Sequence, residues 1–236
     1  MLVVTTFALG AEFAAWRRLR PFRRSISTPV RAYETRIDGV RLRVVLTGIG
    51  RRAAAASAAV VFHDRPDLCI ASGFAAGLSD ALCVADVIAS GKVRGPDGPT
   101  IDSDPSLLAL AAACGAKPID TLYSAPSVVL SSEEKRRMSV VADAVDMESA
   151  AILAESRKRG VPGIAIRAIS DPASRDLPID FTRVLTADGG LSVARTIGAL
   201  ARRPHAVLGL VRLGVEGRRA ATALSRFLDS YLEHLS

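Results

Sequence analysis

Two stretches in the second half of the chain decide its fold: Val-Asp-Met-Glu-Ser-Ala-Ala at 145–151 and Ile-Arg-Ala-Ile-Ser-Asp at 166–171. The first predicts an apolar helix with Glu148 at its start. The second predicts the end of an apolar strand, with Asp171 just past it. In α/β sheets, ligands bind at the edge formed by the carboxyl ends of the strands. The sequence therefore predicts two carboxylates at one edge of a sheet, where they can bind hydroxyl groups and protonate a leaving group.

Strands and helices alternate outward from these stretches. The chain has 236 residues, of which 49% are hydrophobic, and it suits one large α/β domain. Strands are predicted at residues 2–7, 31–37, 41–47, 68–71, 86–90, 119–123, 144–146 and 162–169. Helices are predicted near residues 12–19, 51–62, 105–114, 132–141 and 148–159, and a loop of small residues at 72–77. This order predicts a mixed, largely parallel sheet with helices on both faces.

The C-terminal part differs from the rest in its charge and pattern. We expect a main domain over residues 1–203 and a basic amphipathic helical extension over residues 204–236. A separate helix is predicted from about 188 to 201, before a break at Pro204. In the extension, arginines lie between the apolar positions Val207, Leu208, Val211 and Val215. The prediction of a helix there is weakened by three glycines, Gly209, Gly214 and Gly217.

Arginines are concentrated in two zones of the chain, whose net charge is +7. Residues 17–52 carry eleven arginines against Glu34 and Asp38, and residues 195–226 carry seven against Glu216. These zones could face an anionic membrane surface or a phosphorylated substrate, or they could be solvated faces without a partner. Nucleic acid is not expected as a partner, because no binding module is recognisable and aromatic residues do not interleave with the arginines.

Cysteine usage and hydropathy favour a cytoplasmic protein. The three cysteines cannot all pair with one another, and they are not spaced as zinc ligands. We expect buried thiols in a reducing compartment and no metal site. The apolar first eleven residues lack a basic leader, and no stretch reaches the ~18 apolar residues of a membrane span. A peripheral position at the inner face of the membrane stays open beside a purely cytoplasmic one.

Arg167 and Glu12 are two further candidate site residues. Arg167 lies inside an apolar strand, where a guanidinium needs a carboxylate or another polar partner. Glu12 follows the first strand, so it could activate water as a general base, or it could be an acid favoured in the first turn of a helix. Glu148 and Asp171 have similar structural alternatives, as a helix-terminal acid and a turn cap. The histidines have no catalytic neighbours, which argues against triad chemistry.

Six segments, taken in order, resemble the nucleoside phosphorylase and nucleosidase family, and most closely the methylthioadenosine/S-adenosylhomocysteine nucleosidases. These segments are residues 8–12, 47–50, 72–78, 86–90, 145–151 and 166–171. The resemblance implies a three-layer nucleoside phosphorylase-like fold and cleavage of a purine nucleoside. It implies no cofactor. It also implies a homo-oligomer, usually a dimer, in which a neighbour helps to close the pocket.

The resemblance implies a role for each matching residue. Glu12 would activate the attacking water, and Asp171 would protonate N7 of the departing purine. Arg167 would lie near the water and the carboxylates, and Glu148 would bind the ribose hydroxyls. The other implied substrate contacts are Met147, Val128, Val129, Gly48, Phe74, Ala75 and Ser170.

Two positions depart from the family pattern and bear on the reaction. Phe74 stands where relatives often have a serine near the water or phosphate. Ala71 stands where the hexameric phosphorylases carry a phosphate-binding arginine, although Arg51 could supply that charge. Both departures weaken phosphorolysis as the reaction, but the sequence leaves water and phosphate open as the nucleophile.

Three features resemble the hopanoid-associated phosphorylase branch of this family. They are the basic C-terminal segment at 204–236, the Ser-Gly-Phe sequence at 72–74 and the arginine-rich zone at 17–52. This resemblance implies adenosylhopane, a nucleoside on a triterpenoid lipid, as the substrate, and adenine with ribosyl- or phosphoribosyl-hopane as products. It implies contact with a membrane, because ordinary methylthioadenosine nucleosidases are expected to lack this segment. The enzymatic alternative is a methylthioadenosine/S-adenosylhomocysteine nucleosidase. The third hypothesis is a non-catalytic nucleoside-binding or membrane-associated scaffold, which would need no general base.

Overall fold

Helices cover both faces of one mixed sheet in the computed structural model, which describes residues 1–26, 28–178 and 206–235. Within these ranges the strands are β1 (Leu2–Phe7), β2 (Arg23–Arg24), β3 (Ala32–Ile37), β4 (Val40–Leu46), β5 (Leu68–Gly77), β6 (Val87–Arg94), β7 (Ile101–Asp102), β8 (Lys117–Ser124), β9 (Ala144–Asp146) and β10 (Gly163–Asp171). The helices are α1 (Gly10–Phe13), α2 (Trp16–Leu19), α3 (Arg51–Val61), α4 (Pro105–Ala113), α5 (Ser132–Met138), α6 (Ser149–Lys158) and α7 (Ala206–Glu233).

Strand β5 is the centre of the sheet. Strands β1 and β10 run parallel to it, and its last two residues pair with β9 in the antiparallel sense. Strand β10 also pairs antiparallel with β6, and the parallel pairs β6–β8 and β8–β9 complete a closed ring of five strands. Beyond β1 the sheet continues through β4, β3 and β2. Because β1, β5 and β10 run in the same direction, their C-terminal ends lie at one edge.

Two hydrophobic clusters fill the space between the sheet and its helices. The first joins one face to α1, α2, α4 and α7, and its fully buried members include Trp16 and Leu224. The second joins the other face to α3 and α6. Neighbouring residues of β5 alternate between them, with Ile70 in the first and Ala71 in the second. The prediction of an α/β fold with a mixed sheet flanked by helices is confirmed.

The C-terminal helix α7 runs unbroken through the three glycines that weaken its prediction. Its C-terminal half lies in the first core cluster, where Leu224, Leu228 and Leu232 are fully buried. The hydroxyl of Tyr231 donates to Leu107 O at 3.1 Å. The helix forms because the burial of this apolar face outweighs the intrinsic cost of the glycines.

The N-terminal turns of α7 remain at the surface. The exposed fractions of Leu208, Val211 and Val215 are 80%, 62% and 51%. The helix predicted before Pro204, and the predicted domain boundary at residues 203 and 204, lie outside the described residues. No helix in the part of the chain that the structure describes is long and apolar enough to cross a membrane.

Two sequence-based expectations are wrong in detail. The predicted loop at residues 72–77 is the second half of β5, because these small residues pair with β10 and β9. The three cysteines are not all buried thiols. Cys69 is buried and Cys114 is partly buried, whereas Cys83 is exposed.

Candidate active site

The guanidinium of Arg167, from the middle of β10, is the centre of a polar cluster. Arg167 is almost fully buried, and its Nη2 forms an ion pair with Asp146 Oδ2 at 2.5 Å. Its Nη1 lies 3.9 Å from Glu148 Oε2. Both Nε and Nη2 donate to Ser149 Oγ, at 3.1 and 2.8 Å. The carboxylate that a buried arginine requires is therefore that of Asp146, from β9.

Glu12 is held by backbone groups beside this guanidinium. It lies on α1, directly after β1, and is 5% exposed. The backbone N–H of Leu9 donates to its Oε2 at 2.8 Å, and that of Phe74 donates to its Oε1 at 2.9 Å. The carbonyl oxygen of Phe74 in turn accepts from Arg167 Nη1 at 3.4 Å. The Glu12 carboxylate is thus fixed in position beside Phe74 of β5 and Arg167 of β10.

The backbone at Gly73 passes directly beside both Glu12 and Arg167. A Cβ at this position would lie 2.6 Å from Arg167 Nη1 and 3.0 Å from Glu12 Oε1. The φ angle of Gly73 is +134°, which also favours glycine. Any other residue here would displace one of the two charged groups.

Glu148 contacts a turn that is 98 residues away in the sequence. It precedes the first turn of α6 and is 6% exposed. The backbone N–H of Gly50, which begins α3, donates to Glu148 Oε1 at 2.7 Å. A Cβ at position 50 would lie 3.8 Å from Met147 Cε, so this methionine packs on the same turn. The two segments at 47–50 and 145–151 therefore form one wall of the candidate site.

A β-bulge near the end of β10 sets the position of Asp171. The register with β5 shifts between Ile169 and Asp171, so Ser170 has no partner in this ladder. Asp171 pairs with Ala76 and is the last residue of the strand, rather than just past it. Its Oδ2 accepts a hydrogen bond from Nζ of Lys135, a fully buried residue of α5.

Burial raises the pKa of all three candidate carboxyl groups. For Glu12, burial outweighs the hydrogen bond from Leu9 and the charge of Arg167, both of which lower the pKa. Burial raises the pKa of Glu148 to about 7, against the attraction of Arg167. Burial also raises the pKa of Asp171, against the hydrogen bond and charge of Lys135. Such shifts are typical of acid–base sites.

The remaining predicted contacts take varied positions around this cluster. Val129 is buried in a small third hydrophobic cluster, and Val128 beside it is partly exposed. The side chain of Ala75 belongs to the second core cluster, so its backbone alone can face a ligand. Gly48 has a φ angle of +82°, and a Cβ there would lie 3.2 Å from Ala53 Cβ. The structure brings together Glu12, Phe74, Arg167 and Glu148, and it places Asp171 four residues beyond Arg167 on β10.

Sequence reasoning missed several polar residues of this cluster. Asp146 and Ser149 lie within the quoted 145–151 stretch, so the need of Arg167 for a carboxylate was a usable signal. Ser124 Oγ donates to the other oxygen of Asp146 at 2.5 Å. Lys135 gave no signal, because a run of charged residues at 133–137 is typical of a solvated helix face. Among the described residues, no group of three or more His, Cys, Asp or Glu is arranged to hold a metal ion.

Comparison with known families gives one match over most of the chain. The model described as the phosphorylase superfamily matches residues 3–198. This range contains the candidate residues from Glu12 to Asp171 and the strands described above, apart from the first residue of β1.

Solved structures with a similar fold include two methylthioadenosine/S-adenosylhomocysteine nucleosidases. The one from Campylobacter jejuni has a TM-score of 0.75 at 16% identity, with 99% of each chain covered. The one from Neisseria meningitidis, in complex with methylthio-immucillin-A, has a TM-score of 0.74 at 22% identity and the same coverage. Futalosine hydrolase of Helicobacter pylori has a TM-score of 0.76 at 18% identity, covering 99% of this chain and 98% of that one. The segment predicted as an extension therefore falls within the length of these structures.

Proposed function

The chain belongs to the phosphorylase superfamily, and we propose that it is an enzyme that cleaves the N-ribosyl bond of an adenine nucleoside and releases adenine. The observation that carries this proposal is the placement of three buried carboxyl groups, Glu12, Glu148 and Asp171, along one edge of the sheet. Asp171 lies four residues beyond Arg167 on β10. A ligand that contacts all three groups must therefore extend along the strand end, as a sugar joined to a base does.

Each carboxyl group has one role in the proposed reaction. Glu12 takes a proton from water while the water oxygen bonds to C1′ of the ribose. The bond between C1′ and N9 breaks, its electron pair goes to the base, and Asp171 gives a proton to N7. Glu148 accepts hydrogen bonds from ribose hydroxyls, and these bonds strengthen as the ring becomes cationic. The buried surroundings strengthen all three interactions, because the local dielectric constant is low.

The charges around Arg167 favour water over phosphate as the nucleophile. This guanidinium is already paired with Asp146, and Glu12 and Glu148 also face it. A phosphate dianion would enter a cluster in which carboxyl groups outnumber the cation, which is unfavourable. Arg51, the alternative source of charge, is exposed and pairs with Asp97 at 2.9 Å. We therefore propose hydrolysis.

Adenine release from purified protein tests this function. The substrates are methylthioadenosine, S-adenosylhomocysteine and adenosine, each with and without phosphate, with the sugar product identified by mass spectrometry. We expect adenine and a free ribosyl product, independent of phosphate. Asp171→Asn should lower kcat by about 10²–10⁴-fold, whereas Asp120→Asn, an exposed carboxylate on β8, should not change it. No adenine from any of these nucleosides or from a lipid-linked one, or equal rates in both variants, would refute the proposal.

A lipid-linked nucleoside such as adenosylhopane is the second candidate substrate, and the surface of α7 favours it. The ring of Phe74 lies against α7, since a Cβ at Gly217 would be 3.7 Å from it. On the opposite, solvent-facing side of α7, Val215, Val211 and Leu208 form an exposed apolar row. Exposed arginines flank this row at positions 212, 218 and 219. Apolar residues flanked by arginines are typical of helices that lie on anionic membranes.

Point variants test this surface better than truncation, because removing α7 would also remove buried core residues. The double variant Leu208→Ser/Val211→Ser should lose salt-sensitive binding to vesicles with anionic lipid, while adenine release from a soluble nucleoside is unchanged. Val140→Ser, at a similarly exposed valine elsewhere, is the matched control. A second copy of the chain is the competing occupant. Unchanged vesicle binding, together with a dimer that the double variant disrupts in light scattering, would support that occupant and contradict the lipid role.

A further inference from the structure

Lys135 is a buried cation that the proposed reaction does not yet use. It lies on α5 and has no exposed surface. Its Nζ donates to Asp171 Oδ2, to Pro172 O at 3.0 Å and to Arg175 O at 2.7 Å. An ammonium group has three N–H donors, so all of them are engaged. Lys135 therefore has no donor left for a substrate in this arrangement.

The three acceptors of Lys135 all belong to one short segment, the end of β10 and the turn after it. One hydrogen bond fixes the carboxylate of Asp171, and the other two fix the backbone at 172 and 175. The hydrogen bond that the Asp171 side chain accepts from Lys135 uses Oδ2, so Oδ1 is the oxygen that the proposed reaction assigns to the base. Burying a lysine is costly unless it is paired. Among the described residues, Asp171 forms the ion pair with Lys135, and Asp176 is a further carboxylate that interacts with its charge.

The charges around Asp171 come from three elements. Burial has the largest effect and raises the pKa of Asp171. Lys135 on α5 and Arg175 in the turn are cations that lower this pKa, whereas the charge of Glu216 on α7 raises it. Arg175 is itself paired with Glu216 at 2.6 Å, and Glu216 also pairs with Arg212 at 3.0 Å. The guanidinium of Arg175 therefore contacts Glu216, which it shares with Arg212, rather than Asp171. Lys135 is the cation in direct contact with Asp171.

We infer that Lys135 is a positioning residue for the proposed acid: it holds the Asp171 carboxyl group so that Oδ1 faces N7 of the base, and it sets the pH range in which Asp171 can donate a proton. This inference rests on the proposed function, because it requires Asp171 to act as the acid. It adds a residue from α5 to a site that is otherwise built by α1, the starts of α3 and α6, and the strands β5, β9 and β10.

The pH dependence of kcat distinguishes this role from a purely structural one. A general acid is active when protonated, so the rate falls as the pH rises through its pKa. Lys135→Met removes the cation that stabilises the carboxylate. The decrease of kcat at alkaline pH should therefore occur about 1–3 pH units higher than in the wild type. We also expect kcat to drop roughly 10- to 100-fold, since the carboxyl group loses its orientation. Lys135→Arg keeps the charge, so it should keep the alkaline fall within about half a pH unit of the wild type while lowering kcat.

A double variant keeps the test decisive if Lys135→Met does not fold. Asp171→Asn/Lys135→Met removes both charges and leaves no unpaired buried ion. If Lys135 acts through Asp171, this variant should have the kcat of Asp171→Asn within about twofold. An additional loss of tenfold or more, or an unmoved alkaline fall in a folded Lys135→Met, would overturn the inference. An Asp171→Asn protein as active as the wild type would instead overturn the acid role in the proposed function.

Discussion

Asp146 and Arg167 form a buried ion pair between two strands that are not neighbours in the sheet, with 2.5 Å between Oδ2 and Nη2. Their strands, β9 and β10, both pair with β5 but not with each other. The ion pair therefore spans the end of β5 and joins two sides of the five-stranded ring. The same guanidinium contacts Ser149 and lies beside Glu148. This pair determines where the proposed ribose-binding and water-activating groups stand.

Breaking this pair should be costly for stability. Asp146→Asn keeps the shape of the side chain but leaves the Arg167 charge buried and without its closest partner. We expect a loss of about 3–5 kcal/mol in the free energy of unfolding, measured by urea denaturation. Asp120→Asn, which removes an exposed partner of Lys92, should leave the free energy of unfolding almost unchanged, because exposed ion pairs contribute little to stability. Similar losses in the two variants would mean that Arg167 does not depend on Asp146.

Substitution at Gly73 should impair catalysis more than stability alone can explain. The Cβ of Gly73→Ala would lie 2.6 Å from Arg167 Nη1, so that group must move. We expect a fall in kcat of about 100-fold, as a displacement of about 1 Å in a site can produce, together with a lower Tm from the strained φ angle. Gly98→Ala is the control, because nothing lies within 4 Å of its Cβ position. A normal rate in Gly73→Ala would contradict the observed close approach.

Loss of the Glu148 carboxylate should affect the reaction rather than the fold. Glu148→Gln keeps an acceptor for the N–H of Gly50 but loses the charge proposed to bind the ribose hydroxyls. We expect kcat/KM to fall by at least about 100-fold, as is typical when one group that stabilises the transition state is removed. The Tm should change little. Glu155→Gln, on the same helix, is the matched control.

A 2′-deoxynucleoside provides the second half of that test. The wild type should process it slowly, because one hydroxyl partner of the carboxylate is missing. The factor by which kcat/KM is lower for the 2′-deoxynucleoside than for the ribonucleoside should be much smaller in Glu148→Gln than in the wild type. An equal penalty in both proteins would assign the hydroxyl contact to another residue.

As the pH is lowered, the enzyme should lose activity at a higher pH than it would if its carboxyl groups had ordinary pKa values. Burial raises the pKa of Glu148 to about 7, and it raises that of Glu12 in the same direction. In the proposed reaction both groups act as carboxylates, so activity should be present above these pKa values and should be lost as the pH falls through them. We expect kcat/KM to decline from about pH 7 downwards, measured between pH 5 and 9.

The Glu148→Gln variant identifies the group responsible for this decline. Because glutamine does not titrate, any residual activity should decline only where Glu12 becomes protonated. A wild-type profile that stays flat down to pH 5 would contradict the raised pKa values.

Local patterns were sufficient for most of the secondary structure. Asp38-Gly39 between two alternating runs predicts a tight hairpin, and both residues have positive φ angles in the turn between β3 and β4. The pattern failed at residues 72–77. Small residues there predict a loop, but they belong to β5 because β10 and β9 provide hydrogen-bonding partners on both sides.

Local periodicity and short motifs were enough to predict the α/β class, most of the strands and helices, and the candidate carboxyl groups. Which charges meet became apparent from the folded chain: Asp146 pairs with Arg167, and Lys135 with Asp171. Lys135 lies 36 residues from its partner, in a charged run that is typical of solvent-exposed helices. Periodicity indicates which face of a helix or strand packs against the core. It does not indicate the partner of a buried charge, because that partner can come from a distant part of the sequence. For that reason the central strand, the closed ring and the environment of the proposed acid were visible only in the folded chain.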